Sequence, residues 1–219
     1  MRHLIDFGDL PRAEWDALYQ RCSEIMDHPA DFLDACRGRV MASLFYEPST
    51  RTNFSFQTAM LRVGGSVFGF ADPKSSSVAK GETLKDTIKM VSGYADVVVM
   101  RNPREGAAKA ASLYSDVPVI NAGDGGHMHP TQTMADLTTI TRLHGGVDGI
   151  CIGLCGDLKN GRTVHSLIKA LAKFRDIKFY LISPRELAVP EYIRGFMRER
   201  GMWFVEVTGL ETVMPQLDV

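Results

Sequence analysis

Apolar and polar positions along the chain follow two rhythms: short, mainly apolar runs, and longer stretches with an apolar residue every three or four positions. The first rhythm suits strands buried on both faces, and the second suits helices with one buried side. Runs at 40–46, 66–70, 96–100, 117–121, 150–155, 177–182 and 203–207 predict strands. Helical spacing covers 11–35, 83–94, 106–114, 130–144, 163–174 and 190–200. It also covers the segment where Phe54, Thr58 and Leu61 recur beside Phe56, Met60 and Val63. Gly64-Gly65 stops that helix, and Pro130 suits the first turn of the helix it opens. Residues 72–81 and 122–129 read as a polar and a glycine-rich loop.

Strand–helix alternation of this kind predicts an α/β protein with parallel sheets flanked by helices. The boundary between two such lobes is placed near Gly145-Gly146, giving lobes of 1–145 and 146–219 bridged by the helix at 130–144. Leu217-Asp218-Val219 opens like another strand, so the second lobe is expected to be truncated.

Composition narrows the function classes. A formal net charge of -1 provides no broad field to recruit nucleic acid or an anionic membrane, so any anion site must be built locally. No apolar stretch approaches the roughly 20 residues that span a bilayer. The early Asp6, Asp9 and Glu14 do not fit a signal peptide, and a cytoplasmic setting is expected. Cys22, Cys36, Cys151 and Cys155 have neither zinc-ribbon nor CxxC spacing, and the last two read as buried thiols of a strand. No metal or organic cofactor is expected.

The most informative segment is Ser49-Thr50-Arg51-Thr52, between a predicted strand and a helix. The first N–H groups of a helix lack intrahelical partners, and with the helix dipole they favour phosphate. Three hydroxyls add short donors, and Arg51 adds a fork that grips phosphate through two bonds. A lone Ser-Thr pair is more often a plain N-cap. Here Glu47-Pro48 before the turn and a Phe-rich helix after it make the segment more specific. The chain lacks GxxxxGK[ST], and Gly153, Gly156 and Gly161 do not fit GxGxxG, which argues against nucleotide sites of either kind.

Residues 45–52, Phe-Tyr-Glu-Pro-Ser-Thr-Arg-Thr, followed by Ser55-Phe56, resemble the carbamoyl-phosphate signature of the aspartate and ornithine carbamoyltransferases. The family often has Arg in place of Asn53 and Glu in place of Gln57. The resemblance implies that Ser49, Thr50, Arg51 and Thr52 bind phosphate, and that Arg101 contacts phosphate and the carbamoyl oxygen. It further implies that His129 polarises the carbamoyl C=O and Gln132 holds the carbamoyl amide. Ser76 and Lys80, in the run from Ser75 to Thr83, match a loop that enters a neighbour's site across a trimer interface. Arg162, in Gly156-Asp157-Leu158-Lys159-Asn160-Gly161-Arg162-Thr163, matches an arginine that binds a carboxylate of aspartate. His127 reads as a bystander and His165 as structural.

Lys80-Gly81-Glu82-Thr83, Asn121-Ala122-Gly123-Asp124-Gly125 and Thr131, where ornithine enzymes usually carry Cys, point to the aspartate branch. The implied reaction carries the carbamoyl group of carbamoyl phosphate to L-aspartate, an early step of pyrimidine synthesis, in a homotrimer with shared sites. A regulatory subunit is a further candidate partner. The family continues beyond this chain with another aspartate-binding arginine, a His-Pro-Leu-Pro loop and a C-terminal helix, so little turnover is expected of the 219 residues alone. The competing readings are an ornithine-type or other transcarbamoylase, and a non-catalytic anion-binding fragment.

Overall fold

The computed structural model describes residues 2–125 and 128–219. His127 and its reading as a bystander lie outside the described residues. The chain divides into two compact units, Met1–Pro130 and Thr131–Val219. The sequence-based division at Gly145-Gly146 differs by one helix, assigned there to the first lobe and here to the second unit.

The first unit opens with α1 (Arg12–Asp27) and continues through β1 (Val40–Phe45), α2 (Thr50–Arg62), β2 (Ser66–Phe70) and α3 (Leu84–Ser92). It then runs through β3 (Val97–Asn102), α4 (Ala107–Tyr114) and β4 (Val119–Asp124). All neighbouring strands are parallel, in the order β2-β1-β3-β4. The single helix predicted over 11–35 is a correction: α1 stops at Asp27, and a 3-10 turn follows over Pro29–Phe32. Pro29 lacks an N–H and disfavours helical backbone at His28, which sits at φ -133, ψ 59.

Strand side chains in this unit segregate by face although both faces are covered. Ala42, Leu44, Val98 and Met100 pack with Ile88 and Val91 of α3 and Ala107 and Ala111 of α4. Met41, Phe45 and Val99 pack on the other face with Met60 of α2. Fully burying each large member of such a cluster contributes about 1.5–3 kcal/mol. This core holds the carboxyl ends of β1, β3 and β4 as a fixed rim.

The amino ends of β1 and β3 are tied by Asp96. It accepts from the Val40 N–H at 2.9 Å and from Nη1 of Arg39 at 2.7 Å. Those bonds, the Val40 N–H first, hold its carboxyl below the ordinary 3.8. A depressed folded pKa gives stability that is present above the unfolded value and lost as pH falls through the folded one. The gap in thermal midpoint between the parent chain and Asp96→Asn is therefore expected at pH 7 and should close below pH 3.8. A gap of unchanged size at pH 2 to 3 would contradict this assignment.

The second unit holds α5 (Pro130–His144, whose first residue closes the first unit), β5 (Cys151–Cys155), α6 (Arg162–Leu171) and β6 (Lys178–Ile182). α7 (Glu191–Glu199) and β7 (Trp203–Val207) complete it. Its sheet is parallel with order β5-β6-β7. Residues 218 and 219 run beside the free edge of β5, with the Asp218 N–H on the Cys151 carbonyl and the Gly153 N–H on the Val219 carbonyl, each at 2.8 Å. The buried-thiol reading needs correction, because Cys151 is half-buried and Cys155 exposed. Ile152 and Leu154 occupy the buried face of β5, and the period of two turns both cysteines to the other.

Candidate functional site

The strand order of the first unit reverses at β1: the chain crosses to one side for β2 and to the other for β3 and β4. In open parallel sheets, ligands gather beyond the carboxyl ends of the strands at such a point. Glu47 and Ser49 follow β1 there, Arg101 lies at the end of β3, and His129 follows β4.

Ser49 is the N-cap of α2, and its side chain makes no capping bond. The first intrahelical bond is Asn53 N–H to the Ser49 carbonyl at 3.0 Å, so the N–H groups of Thr50, Arg51 and Thr52 precede it. Among the described residues, the side chains of Ser49, Thr50, Arg51 and Thr52 make no hydrogen bond or ion pair. The helix is anchored from beneath, where the Ser43 hydroxyl and the Gln57 amide both donate to Oδ1 of Asn53 at 2.8 Å. Asn53 and Gln57, two positions that differ from the usual family residues, therefore bond to each other. The Arg51 side chain lines a shallow depression on the exposed face of α2 with Phe54, Ser55, Thr58 and Arg62.

Arg101 is more enclosed, with a side chain 12% exposed. Its Nε donates to Oε1 of Glu47 at 2.7 Å. Gly123, at φ +120, comes close enough that a β-carbon there would lie 3.4 Å from Nη1 of Arg101 and 3.6 Å from Cδ2 of the His129 ring. The structure thus brings Arg101 and His129 together over a bare stretch of backbone, with Glu47 orienting the guanidinium from the α2 side. Glu47 and Gly123 are missing from the sequence-based site. The signal for Glu47 was a carboxylate in the same turn as the phosphate-type residues. Its partner, 54 residues away, is set only by strand pairing. Next to Glu47, burial pushes the Tyr46 phenol above its usual pKa of 10.0.

Ser76 and Lys80 lie in the β2–α3 connection, which forms two 3-10 turns. The Ser76 hydroxyl donates to the Pro73 carbonyl at 2.8 Å and accepts from the Val78 N–H at 3.3 Å, while Lys80 is exposed. Among the described residues, neither bonds to Arg101, His129 or the α2 turn.

In the second unit, Gln132 lies in the first turn of α5 and donates to Oδ1 of Asp136 at 2.9 Å. Burial raises the pKa of Asp136, and the Gln132 bond pulls it the other way. Arg162 is the first residue of α6. The turn ahead of it is rigidly built. Asp157 Oδ1 accepts from the N–H groups of Lys159 and Asn160, and the Asn160 bonds hold its carboxyl below the ordinary range. His165 is buried, with Nε2 donating to the Leu158 carbonyl at 2.7 Å and Nδ1 accepting from the Tyr192 hydroxyl at 2.8 Å. That arrangement agrees with its structural reading. Among the described residues, no group of three or more His, Cys, Asp or Glu side chains is placed to hold a metal ion. Among the same residues, no helix is long and apolar enough to cross a membrane.

Residues 2–142 match the family described as aspartate/ornithine carbamoyltransferase, carbamoyl-P binding domain. The chain belongs to this family. Over all 219 residues it is 54% identical to an aspartate carbamoyltransferase catalytic subunit of Clostridium perfringens, spanning 71% of that relative. The catalytic subunit of M. jannaschii aspartate transcarbamoylase superposes with a TM-score of 0.94 at 48% identity, over all of this chain and 72% of that one. Aspartate transcarbamoylase from Trypanosoma cruzi, solved with carbamoyl phosphate and aspartate, gives a TM-score of 0.90 at 39% identity over 99% of this chain and 74% of that one. The same T. cruzi enzyme has also been solved with N-(phosphonacetyl)-L-aspartic acid. Within the family, these relatives favour the aspartate branch over the ornithine-type alternative.

Proposed function

We propose that the chain acts as an aspartate carbamoyltransferase catalytic subunit, in which the α-amino group of L-aspartate attacks the carbonyl carbon of carbamoyl phosphate. The new C–N bond gives N-carbamoyl-L-aspartate, phosphate leaves with the C–O bonding pair, and the amino group releases a proton. The observation that carries this reading is the convergence of Arg101 and His129 on Gly123 beside the α2 turn. A guanidinium and an imidazole there suit one small molecule that carries both phosphate and a carbonyl oxygen. Ser49, Thr50, Arg51 and Thr52 take the phosphate, with Arg101 bridging phosphate and carbamoyl oxygen. His129 donates to that oxygen as negative charge builds on it, Gln132 holds the carbamoyl amide, and Arg162 takes an aspartate carboxylate. Rate comes from positioning and electrostatics, with no covalent intermediate on the protein.

In this reading, residues 1–145 form the carbamoyl-phosphate lobe and 146–219 part of the aspartate lobe. Ser76 and Lys80 serve the neighbouring site of a homotrimer, which fits an ammonium that is exposed and, among the described residues, makes no hydrogen bond or ion pair. The setting is cytoplasmic, the reaction belongs to pyrimidine synthesis, and a regulatory subunit is a further partner.

Because the chain spans 71% of the length of its C. perfringens relative, binding tests this more directly than turnover. Calorimetric titration with N-(phosphonacetyl)-L-aspartate is expected to show saturable binding. Arg51→Ala should weaken it about tenfold, the equivalent of one charge-assisted hydrogen bond of about 1.4 kcal/mol. Equal affinity of the two chains would remove Arg51 from the site. No binding by the parent chain would sink the reading for these residues.

A further inference from the structure

The β3–β4 ladder is irregular at the site. Met100 pairs with Asn121, but the next pair is Asn102 with Asp124, so Arg101 faces two residues, Ala122 and Gly123. A bulge of this kind re-aims side chains but leaves the extra residue without ladder bonds. Two buried side chains provide the missing bonds. Asn121 is 0% exposed and Asp124 1%. Asn121 Oδ1 accepts from the Gly123 N–H at 2.9 Å, and its Nδ2 donates to Asp124 Oδ1 at 3.1 Å and to the Ile5 carbonyl at 3.0 Å. Asp124 Oδ1 also accepts from the Met128 N–H at 3.0 Å, and Oδ2 accepts from the Gly106 N–H at 2.9 Å.

We propose that Asn121 and Asp124 are a pair of positioning residues that hold Gly123 and the chain entering His129, and so set the separation of Arg101 and His129. The proposal rests on the reading of those two residues as ligands of carbamoyl phosphate. A buried carboxylate needs several donors to offset its lost hydration. Besides the Asn121 amide, the donors include two backbone groups whose placement the site depends on: Met128, which directly precedes His129, and Gly106, which caps α4. Asn121 extends the same pair to the N-terminal segment, where the Leu4 N–H reaches the Val119 carbonyl and the Asn121 N–H reaches the Leu4 carbonyl. The bond from the Gly123 N–H to Asn121 completes the bulge and also fixes a glycine that lies against both Arg101 and His129, so one contact serves the ladder and the site together.

Asp124→Asn keeps the shape but replaces one acceptor with a donor, facing either Gly106 or Met128. Asn121→Ser replaces the amide with a shorter hydroxyl that cannot reach Gly123, Asp124 and Ile5 together, and it is measured alongside in case the first variant does not fold. In the 219-residue chain, at a temperature where the variant stays folded, amide exchange at Gly106, Gly123 and Met128 is expected to rise at least about tenfold. The His129 imidazole resonances should move. Affinity for N-(phosphonacetyl)-L-aspartate should fall about tenfold to hundredfold, the scale of a misplacement near 1 Å. Unchanged exchange, or faster exchange with full affinity and an unmoved His129 signal, would overturn the proposal. If the parent chain does not bind the mimic, the functional reading has failed, and the exchange rates with the His129 signal decide the pair by themselves.

Discussion

Arg101→Ala is expected to weaken binding of N-(phosphonacetyl)-L-aspartate about a hundredfold or more, the largest ligand effect of any single substitution in the site. Two losses combine. The guanidinium proposed to take the anion disappears, and Glu47 keeps its charge in the same place. The side chain of Glu47 is only 25% exposed, and its partner at 2.7 Å would be gone. An uncompensated carboxylate then repels the phosphonate where attraction is needed. Removing one member of a buried charge pair costs about 2–5 kcal/mol at a binding interface, and a hundredfold corresponds to about 2.7 kcal/mol within that range. Calorimetry measures the change directly. Arg101→Lys separates charge from geometry, because a single ammonium cannot both hold Glu47 at the Nε position and present a fork to the anion. If Arg101→Ala bound the mimic within about threefold of the parent chain, Arg101 would not be a ligand, and the convergence on Gly123 would have another meaning.

Gly69→Ala is expected to be the most damaging substitution for folding. Gly69 lies within β2 opposite Ser43 of β1, at φ +146, a conformation that L side chains rarely adopt. A β-carbon there would stand 2.0 Å from the Ser43 carbonyl oxygen, and that neighbour is backbone, which cannot rotate away. The strands must part or the φ must change, and either outcome breaks the ladder of an edge strand whose one strand partner among the described residues is β1. The damage then passes to the site by two routes. Moving Ser43 pulls on its 2.8 Å bond to Asn53 under α2, and moving β2 shifts the segment that carries Ser76 and Lys80. Strain and overpacking of this size cost about 3 kcal/mol or more. Denaturant unfolding followed by a probe in the first unit measures it. A loss below about 1 kcal/mol would show that the two strands are not this close.

How much of this was legible beforehand follows from the range of each interaction. Helix 130–144 was predicted with the observed ends, because a proline at the start and a glycine pair after the end are local signals. Strand positions were legible for the same reason, since a run such as 40–46 is mainly apolar whichever strand it pairs with. The helix over 11–35 failed at Pro29, where apolar spacing continued across a residue that cannot continue the helix. Cys155 was misread because an apolar run does not reveal which face of a strand is covered.

The residue types of the site belong to the sequence by itself: a hydroxyl-rich turn with Arg51, an arginine after a strand, a histidine before a helix, and a motif order that resembles one family. Those features are short in range, and local backbone chemistry reads them directly. Tertiary structure alone decided that Glu47 holds Arg101, that the β3–β4 register slips by one residue, and that Gly123 lies against both Arg101 and His129. The physical reason is that these contacts join different strands and turns, up to 54 residues apart for Glu47 and Arg101. Their geometry is set by parallel pairing and packing against a shared core, which no local pattern along the chain records.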